Sequence, residues 1–310
     1  MDPIEILGEV AKKYPDLPWT IGYSGGKDST VVLHFVIEAI KRYNIKNTVY
    51  VIYADTLLEH PLLRKETLNA LESLKAYSEN ELGGIIKTVV LKPAGGQDFI
   101  SLMTLRGYPA PSHRFRWCMD RLKIKPFKRF IRSIGKHVEV SGVRLKESSE
   151  RSRNIKTNYN GQYIIQLKNI IVMPILDWSE QDVFNFLRTH KRWDGKSYLY
   201  LLELYRVIPE GNCGCPLISD VRFGCWVCTV VKNDKMPSSK LLKWARKRIL
   251  EISRDPRYRV FDSNGKPRSL NKEGRKEIAR VFLEVAEREP EALGYDIEKL
   301  KDMLRRIILS

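Results

Sequence analysis

The chain has 310 residues, of which 43% are hydrophobic and 29% are charged, a composition that excludes a mainly disordered protein. No stretch approaches the roughly 18 uninterrupted apolar residues of a transmembrane helix, so we expect no membrane association and a cytoplasmic location. Lysine and arginine exceed aspartate and glutamate by 54 to 37, giving a formal net charge of +17. This balance favours a polyanionic partner, nucleic acid first, over a surface that is merely basic.

Short segments rich in β-branched residues alternate with helical patterns over the first 190 residues. The predicted strands are 19–24, 48–54, 85–92, 136–143 and 169–176. The predicted helices are 28–43, about 60–80 and 120–135, followed by one that Ser179 could cap. This alternation predicts an α/β fold with a doubly wound, five-stranded parallel sheet and a ligand at the carboxyl ends of its strands.

The character of the chain changes after residue 190. Residues 191–230 are rich in aromatic, glycine and cysteine residues, and residues 231–310 are basic with helical patterns broken at 262–265. We therefore predict a nucleotide-binding domain over 1–190, a cysteine-rich segment over 191–230 and a basic helical subdomain over 231–310.

A glycine-rich segment follows the first predicted strand and opens an apolar helix. Its residues are Ser24, Gly25, Gly26, Lys27, Asp28, Ser29 and Thr30. Glycines allow a tight turn whose N–H groups approach an anion, and the helix N-terminus adds unpaired N–H groups and partial positive charge. Ile21 and Asp28 occupy positions where a Walker A loop requires glycine and a hydroxyl residue, so this is a phosphate loop of another kind.

This segment resembles the PP-loop of the ATP pyrophosphatase superfamily, whose members cleave ATP between the α and β phosphates. The resemblance implies an adenine nucleotide α-hydrolase-like fold that binds ATP and Mg²⁺. It also implies catalytic roles for Lys27, Asp28 and Ser29, while leaving the acceptor of the adenylyl group open.

Two other strand ends carry candidate nucleotide contacts. Asp55 follows the second strand, where a carboxylate could orient a ribose hydroxyl or bound Mg²⁺, a solvated turn being the alternative. Arg144 and Arg151 follow the fourth strand in a pattern that resembles the superfamily's phosphate clamp, and a surface charge cluster is the alternative.

Four of the five cysteines lie between Cys213 and Cys228, and Cys118 is the distant one. Such clustering indicates metal or redox chemistry rather than disulfides in a cytoplasmic chain. The pair Cys225 and Cys228, separated by two residues, is compatible with zinc, an iron–sulfur cluster or a redox pair.

The segments RWCMDRLKIKP, CPLISD and RFGCWVCTVVKNDK resemble the Dnd-type DNA phosphorothioation sulfurtransferases. That resemblance implies a [4Fe–4S] cluster on Cys118, Cys215, Cys225 and Cys228, with Cys213 as an alternative to Cys215. It further implies an ATP-dependent enzyme that adenylates a DNA backbone phosphate and inserts sulfur. A cysteine desulfurase would donate the sulfur, and other phosphorothioation-system proteins would be partners.

The stretch from His113 to Lys136 is strongly basic, with Phe115, Trp117, Phe127 and Phe130 interleaved among its lysines and arginines. We expect this stretch to contact a DNA backbone without reading sequence, and its aromatic side chains to belong to the core rather than to stack on bases.

Three other functions stay open. A sulfonucleotide (PAPS/APS) reductase would need a nucleophilic cysteine, and none follows Cys228 in this sequence. A tRNA-thiolating enzyme would use the same loop, cluster and basic surface. The protein could also be a non-catalytic nucleic-acid-binding module stabilised by zinc, but this function would not explain the glycine-rich loop Ser24–Thr30.

Overall fold

The computed structural model describes residues 2–145, 162–205, 223–230 and 238–310. The predictions for Arg151, Cys213 and Cys215 fall outside these ranges. The chain divides into two compact units. The first comprises Met1–Tyr53, Lys65–Val90 and Phe130–Val221, and the second comprises Ala54–Arg64, Leu91–Arg129 and Arg222–Ser310.

The described strands are β1 Trp19–Gly22, β2 Val49–Ala54, β3 Ile86–Leu91, β4 Val138–Val140, β5 Ile164–Gln166, β6 Ile170–Val172, β7 Arg259–Phe261 and β8 Pro267–Leu270. The described α-helices are α1 Pro3–Lys13, α2 Lys27–Tyr43, α3 Pro61–Glu81, α4 Phe99–Thr104, α5 Lys125–Ile134, α6 Glu180–Thr189, α7 Leu199–Leu204, α8 Lys240–Arg254, α9 Lys272–Arg288 and α10 Ile297–Leu309. None of these helices combines the length and apolarity needed to cross a membrane.

A six-stranded sheet in the order β3-β2-β1-β4-β6-β5 organises the first unit. Strand β1 pairs in parallel with β2 and β4, and β4 pairs in parallel with β6. Side chains of the central strands, including Trp19, Ile21, Val49 and Val138, are buried. Such near-continuous apolar runs are typical of parallel strands that are covered on both faces.

The predicted five-stranded parallel sheet is confirmed for the five strands named from sequence, and it is wrong about the sheet's edge. Strand β5 pairs antiparallel with β6 and makes the sheet six-stranded. The two strands are joined by a tight turn in which Leu167 N–H donates to Asn169 O at 2.9 Å. Length does not explain why β5 was missed, because the predicted strands β4 and β6 also have only three residues. Strand β5 lies at the edge of the sheet, and its antiparallel pairing with β6 is a tertiary contact.

Helix α6 begins as predicted. Ser179 is its N-cap, and the Ser179 side chain accepts a hydrogen bond from the Asp182 N–H while the Asp182 side chain accepts from the Ser179 N–H. This capping box fixes the start of the helix that carries Glu180.

The second unit is mainly helical around a core that contains Phe99, Trp226 and Phe282. Helix α9 packs against α4, α8 and α10. The helical patterns predicted within residues 231–310 are confirmed as the helices α8, α9 and α10. The predicted break at Asp262–Gly265 is the turn of a β-hairpin, in which Asp262 accepts from the N–H groups of Asn264 and Lys266 between β7 and β8.

Candidate active site

The turn from β1 into α2 is shaped by Gly25. Its φ of +70° favours glycine, and a Cβ at this position would collide with Thr67 Oγ1. Gly26 is the N-cap of α2, and no side chain of the described residues caps it. The first N–H groups of α2 are therefore left to bind an anion, which the positive end of the helix dipole also favours.

Hydroxyl groups brace this turn. Ser29 Oγ donates to Gly26 O at 3.0 Å, and the Ser24 N–H donates to Ser29 Oγ at 3.3 Å. The Gly26 N–H lies 3.4 Å from Ser24 Oγ. Thr30 is fully buried, which gives it a packing role in α2. The serines are thus placed both to hold the loop and to rearrange toward a ligand.

Lys27 is held by two carboxylates. Its Nζ lies 3.3 Å from Asp28 Oδ2 and 3.3 Å from Glu180 Oε1, and its ring neighbour is Tyr205 at 5.1 Å. The side chain is only 13% exposed. Burial alone lowers the pKa of Lys27, but Asp28, Tyr205 and Glu180 together raise it above its ordinary value, so the amine is an ammonium at neutral pH.

Asp28 joins Lys27 to Arg144. Arg144 Nε donates to Asp28 Oδ1 at 2.6 Å, and its Nη1 lies 3.4 Å from Trp178 O. Arg144 is buried, and a Cβ on Gly142 would lie 3.3 Å from the Asp28 carbonyl group. The strand end that carries Gly142 and Arg144 therefore packs directly on the start of α2. Arg144 orients Asp28, and its predicted contact with a phosphate stays a prediction.

Glu180 is a site residue that the sequence reasoning missed. Nothing in its local pattern distinguishes it from any acidic residue in the first turn of a helix. Its partnership with Lys27 depends on α2 and α6 packing together, which is a tertiary contact.

Asp55 belongs to the second unit and is fully engaged there. Its carboxylate accepts from Arg64 Nε at 2.9 Å and from Arg64 Nη2 at 2.7 Å. It also accepts from the Leu57 N–H at 2.9 Å, in a turn where Leu57 has a φ of +68°. Asp55 therefore anchors the chain after β2, and its predicted contact with ribose or Mg²⁺ stays a prediction.

The segment after β2 pairs with the segment that carries Cys225 and Cys228. The Trp226 N–H donates to Leu58 O at 3.0 Å, and Thr56 Oγ1 lies 3.2 Å from Cys225 Sγ. The Cys228 N–H donates to Cys225 O at 3.0 Å, which closes the turn between the two cysteines. The segment after β2 and the segment that carries Cys225 and Cys228, which lie far apart in the chain, are thus in contact in the second unit.

A partly exposed ammonium, that of Lys123, accompanies the thiols. Lys123 Nζ lies 2.9 Å from Glu59 Oε1. Burial lowers the pKa of Lys123, but the charges of Glu59 and Cys225 raise it more, so the pKa lies above its ordinary value. Burial raises the pKa of Cys225 to about 12, and burial and then Cys228 raise that of Cys118. Cys118 and Cys225 pack against the same core of the second unit, and Cys228 closes a turn with Cys225, so the three described cysteines share one region.

Within the described ranges, no group of three or more histidine, cysteine, aspartate or glutamate side chains is arranged to hold a metal ion. The sulfur donors and the nearby ammonium suit thiolate ligation, but a [4Fe–4S] cluster takes four ligands. The predicted fourth ligand, Cys215, lies outside the described residues, so the cluster stays a prediction.

Comparison with known proteins identifies the domain. The phosphoadenosine phosphosulfate reductase domain matches residues 19–230, which is more than half of the chain. Among solved structures, the chain is similar to phosphoadenylyl-sulfate reductase from Candida auris in a phosphate complex, with 16% identity and a TM-score of 0.44 over 69% of this chain and 90% of that one. It is also similar to FMN adenylyltransferase from Candida glabrata, with 14% identity and a TM-score of 0.38 over 87% and 77% of the two chains. Both structural similarities are weak, so the domain match carries the assignment.

Two curated relatives come from Methanocaldococcus jannaschii, and each is an uncharacterized protein. One is 31% identical over 238 residues, which is 76% of this chain and 41% of the relative. The other is 28% identical over 213 residues, which is 68% of this chain and 41% of the relative. The chain therefore spans about two fifths of the length of these relatives.

Proposed function

We propose that this chain, which belongs to the phosphoadenosine phosphosulfate reductase domain family, is an ATP-dependent sulfurtransferase that converts a DNA backbone phosphate to a phosphorothioate. The observation that carries the nucleotide part of the proposal is the start of α2. The N-terminus of α2, which no described side chain caps, carries Lys27, an ammonium held between two carboxylates.

In the proposed first step, the loop Ser24–Thr30 holds the β and γ phosphates of ATP, and Lys27 and the N–H groups of α2 face the charge that develops on pyrophosphate. A non-bridging oxygen of the DNA phosphate attacks the α-phosphorus, and the bond to pyrophosphate breaks. Pre-positioned donors of this kind are often the largest catalytic contribution. Mg²⁺ would neutralise the phosphate charge, and Asp28, Asp55, Arg144 and Arg151 are the proposed supporting residues.

In the proposed second step, sulfur displaces AMP from the adenylated DNA phosphate. Hydrosulfide does so directly, forming the phosphorus–sulfur bond as the bond to AMP breaks. Alternatively, the outer sulfur of a persulfide from a cysteine desulfurase attacks the phosphorus and displaces AMP. A second thiol then cleaves the sulfur–sulfur bond, which leaves the phosphorothioate on DNA and releases the two thiol sulfurs as a disulfide. The partly buried, unpaired thiols of Cys118, Cys225 and Cys228 support sulfur chemistry in this chain, and the Lys123 ammonium interacts with two of them.

The proposed cluster has its own test. Cys118, Cys225 and Cys228, with Cys215 or Cys213, would hold it. Anaerobically purified protein should contain about four iron and four sulfide per chain. Serine in place of Cys118, Cys225 or Cys228 should abolish iron binding. Of the two single variants Cys213→Ser and Cys215→Ser, one should lose iron and the other should keep it, because only one of these cysteines is the fourth ligand. Stoichiometric zinc without sulfide would replace this proposal with the zinc-stapled module.

The whole proposal is tested with ATP labelled at the α-phosphate, incubated anaerobically with Mg²⁺ and with duplex DNA, tRNA, adenylyl sulfate or no acceptor. AMP and pyrophosphate should form only with DNA. Stimulation by tRNA alone would instead establish a tRNA-thiolating enzyme. Inert ATP together with sulfite from adenylyl sulfate and a thiol would establish a sulfonucleotide reductase, the function that the name of the matching domain suggests.

A further inference from the structure

The second unit carries a cleft of about 660 Å³ that the nucleotide loop does not line. It lies among residues 106–115, the C-terminal end of α8 and the β7–β8 hairpin. We call it the arginine cleft, after the lining side chains Arg106, Arg254, Arg259 and Arg268. A cleft of this volume is within the range of sites that bind small molecules and cofactors.

The charge of the arginine cleft is one-sided. No aspartate or glutamate is among the described residues that line it. Arg106 and Arg254 are exposed and form no ion pair with any described residue. Arg259 donates to the backbone carbonyls of Ser253, Arg268 and Ser269, and no carboxylate of the described residues forms an ion pair with it. Among these four arginines, only Arg268 is paired with a described carboxylate, that of Asp262 at 2.8 Å. Three uncompensated guanidinium groups in one cleft favour a ligand with several negative charges.

An aromatic platform lies in the same cleft. The rings of Tyr108 and Phe115 are parallel to within 9°, with centroids 6.2 Å apart. Phe115 is 49% exposed, whereas Trp117 behind it is buried and packs edge-on against Tyr108 at 5.1 Å. The expectation that these aromatic residues belong to the core is therefore right for Trp117 and wrong for Phe115. A ring that is fixed by its neighbours and exposed on one side is suited to stack on a base.

The cleft also adjoins the cysteine segment. Thr229 lines the cleft, follows Cys228 directly in the chain, and donates its hydroxyl to Pro111 O at 2.6 Å. Arg246 Nε donates to Cys228 O at 2.5 Å from the same helix that ends at Arg254. A ligand in the cleft therefore lies beside the backbone that positions one of the predicted sulfur-handling thiols.

We propose that the arginine cleft binds a nucleic-acid strand, with its phosphates against Arg106 and Arg254 and one base against Phe115. The further claim that this strand is the acceptor of sulfur rests on the proposed function. Binding of the strand does not rest on it, so the two claims fail separately.

The test is fluorescence anisotropy with the full chain and a labelled single-stranded DNA of about 12 nucleotides, over a series of salt concentrations. Each phosphate contact contributes roughly 0.9 to the slope of log affinity against log salt. The double variant Arg106→Ala/Arg254→Ala should lower affinity at least tenfold at low salt and reduce this slope by about 2. Arg306→Ala, which removes an exposed arginine of α10 outside the cleft, should change neither quantity comparably.

The stacking contact is tested with Phe115→Ala. It should weaken binding about tenfold with little change in the salt slope, because it removes a base contact and no charge. Phe261→Ala is the matched control, since Phe261 is 45% exposed and does not line the cleft. Equal affinities and slopes for the cleft variants and their controls would overturn the proposal. So would displacement of the DNA by pyrophosphate or ATP at the same concentration in nucleotide units, which would make this a mononucleotide site.

Two further outcomes separate the cleft from the proposed function. Cleft-dependent DNA binding with no DNA-stimulated AMP formation would uphold the cleft and overturn the proposed function. DNA-stimulated AMP formation that the cleft variants leave unchanged would do the reverse. An RNA of the same sequence that binds more tightly, and still depends on Arg106, Arg254 and Phe115, would uphold the cleft and shift the acceptor to RNA.

Discussion

Lys27 connects the local turn to the chemistry, because its ammonium is the one charged group that the loop itself offers to a phosphate. Asp28 and Glu180 hold it on either side, and the aromatic ring of Tyr205 covers it. Removing the amine removes a positioned cation from the site where, in the proposed reaction, negative charge develops on pyrophosphate.

We therefore expect Lys27→Ala to slow pyrophosphate release from ATP by about 100-fold or more. Lys27→Arg should recover only part of this loss, because the planar guanidinium cannot reproduce the position of a compact ammonium. Lys41→Ala is the control: Lys41 is on the same helix and exposed, and its ammonium contacts Glu38 and the ring of Tyr77 rather than the loop. Turnover of Lys27→Ala at the level of the control would refute the assignment of the loop.

Asp28 has a different role, since it supplies the carboxylate for the buried Arg144. Asp28→Asn leaves that guanidinium without its ionic partner, and we expect a loss of about 3 kcal/mol in the free energy of unfolding. Glu38→Gln removes an exposed ion pair instead and should cost no more than about 0.5 kcal/mol. Urea unfolding of both variants measures the difference. Equal, small losses would mean that the Asp28–Arg144 pair contributes nothing to stability.

At the scale of secondary-structure elements, the turn between β1 and α2 depends on Gly25. We expect Gly25→Ala to lose both stability and ATP binding, because the Cβ meets a positive φ and Thr67 together. Gly83→Ala separates the two causes, since Gly83 has a φ of +64° and no atom within 4 Å of the added Cβ. It should cost about 1 kcal/mol, and Gly25→Ala clearly more. Adding Thr67→Gly to Gly25→Ala should restore part of the loss, and its failure to do so would exclude the collision as the cause.

The packing of α2 on α6 and α7 should be pH-dependent through His34. Its ring packs edge-on against Phe186 at 4.9 Å, and its Nδ1 lies 3.0 Å from Tyr198 Oη. Burial, with a smaller effect of His190, lowers the pKa of His34 to about 4. The fold thus favours the neutral ring, so this contribution is complete above pH 6.5 and is lost as the pH falls from 6.5 toward 4.

The wild-type protein should lose on the order of 2 kcal/mol through His34 across that interval, and His34→Gln should lose correspondingly less. The exposed His113, replaced in His113→Gln, should leave the profile unchanged. Denaturant unfolding at a series of pH values measures all three. Parallel profiles for wild type and His34→Gln would contradict the account.

The sequence patterns predicted the secondary-structure elements more completely than the tertiary contacts between them. The five parallel strands, the loop into α2 and the three C-terminal helices follow from period and glycine placement. Strand β5 and the β7–β8 hairpin were not predicted, although β4 and β6 are equally short. Both depend on antiparallel pairing between neighbouring segments, which a residue pattern does not show. Glu180 beside Lys27, Arg64 on Asp55 and the exposed Phe115 are tertiary outcomes, since each depends on which distant side chain packs where.

At the scale of the whole molecule, the positive charges behind the formal net charge of +17 are unevenly distributed. Many exposed lysines and arginines of α8, α9 and α10 are balanced by neighbouring acids, as in the pairs Arg248–Glu277, Arg280–Glu277 and Arg288–Glu284. The arginine cleft brings together three guanidinium groups, those of Arg106, Arg254 and Arg259, that no described carboxylate balances. Clustered rather than average charge is what gives a nucleic acid a preferred path.

The central claim is that ATP cleavage at the loop and sulfur incorporation into DNA belong to one enzyme. The most direct measurement supplies radioactive hydrosulfide, Mg²⁺ and duplex DNA anaerobically, with or without ATP, and then digests the DNA for mass spectrometry. The account predicts sulfur-containing dinucleotides that require ATP and disappear in Lys27→Ala. Two results would contradict it. One is radioactivity that enters DNA equally without ATP or with Lys27→Ala, and the other is AMP formation with no radioactivity in DNA.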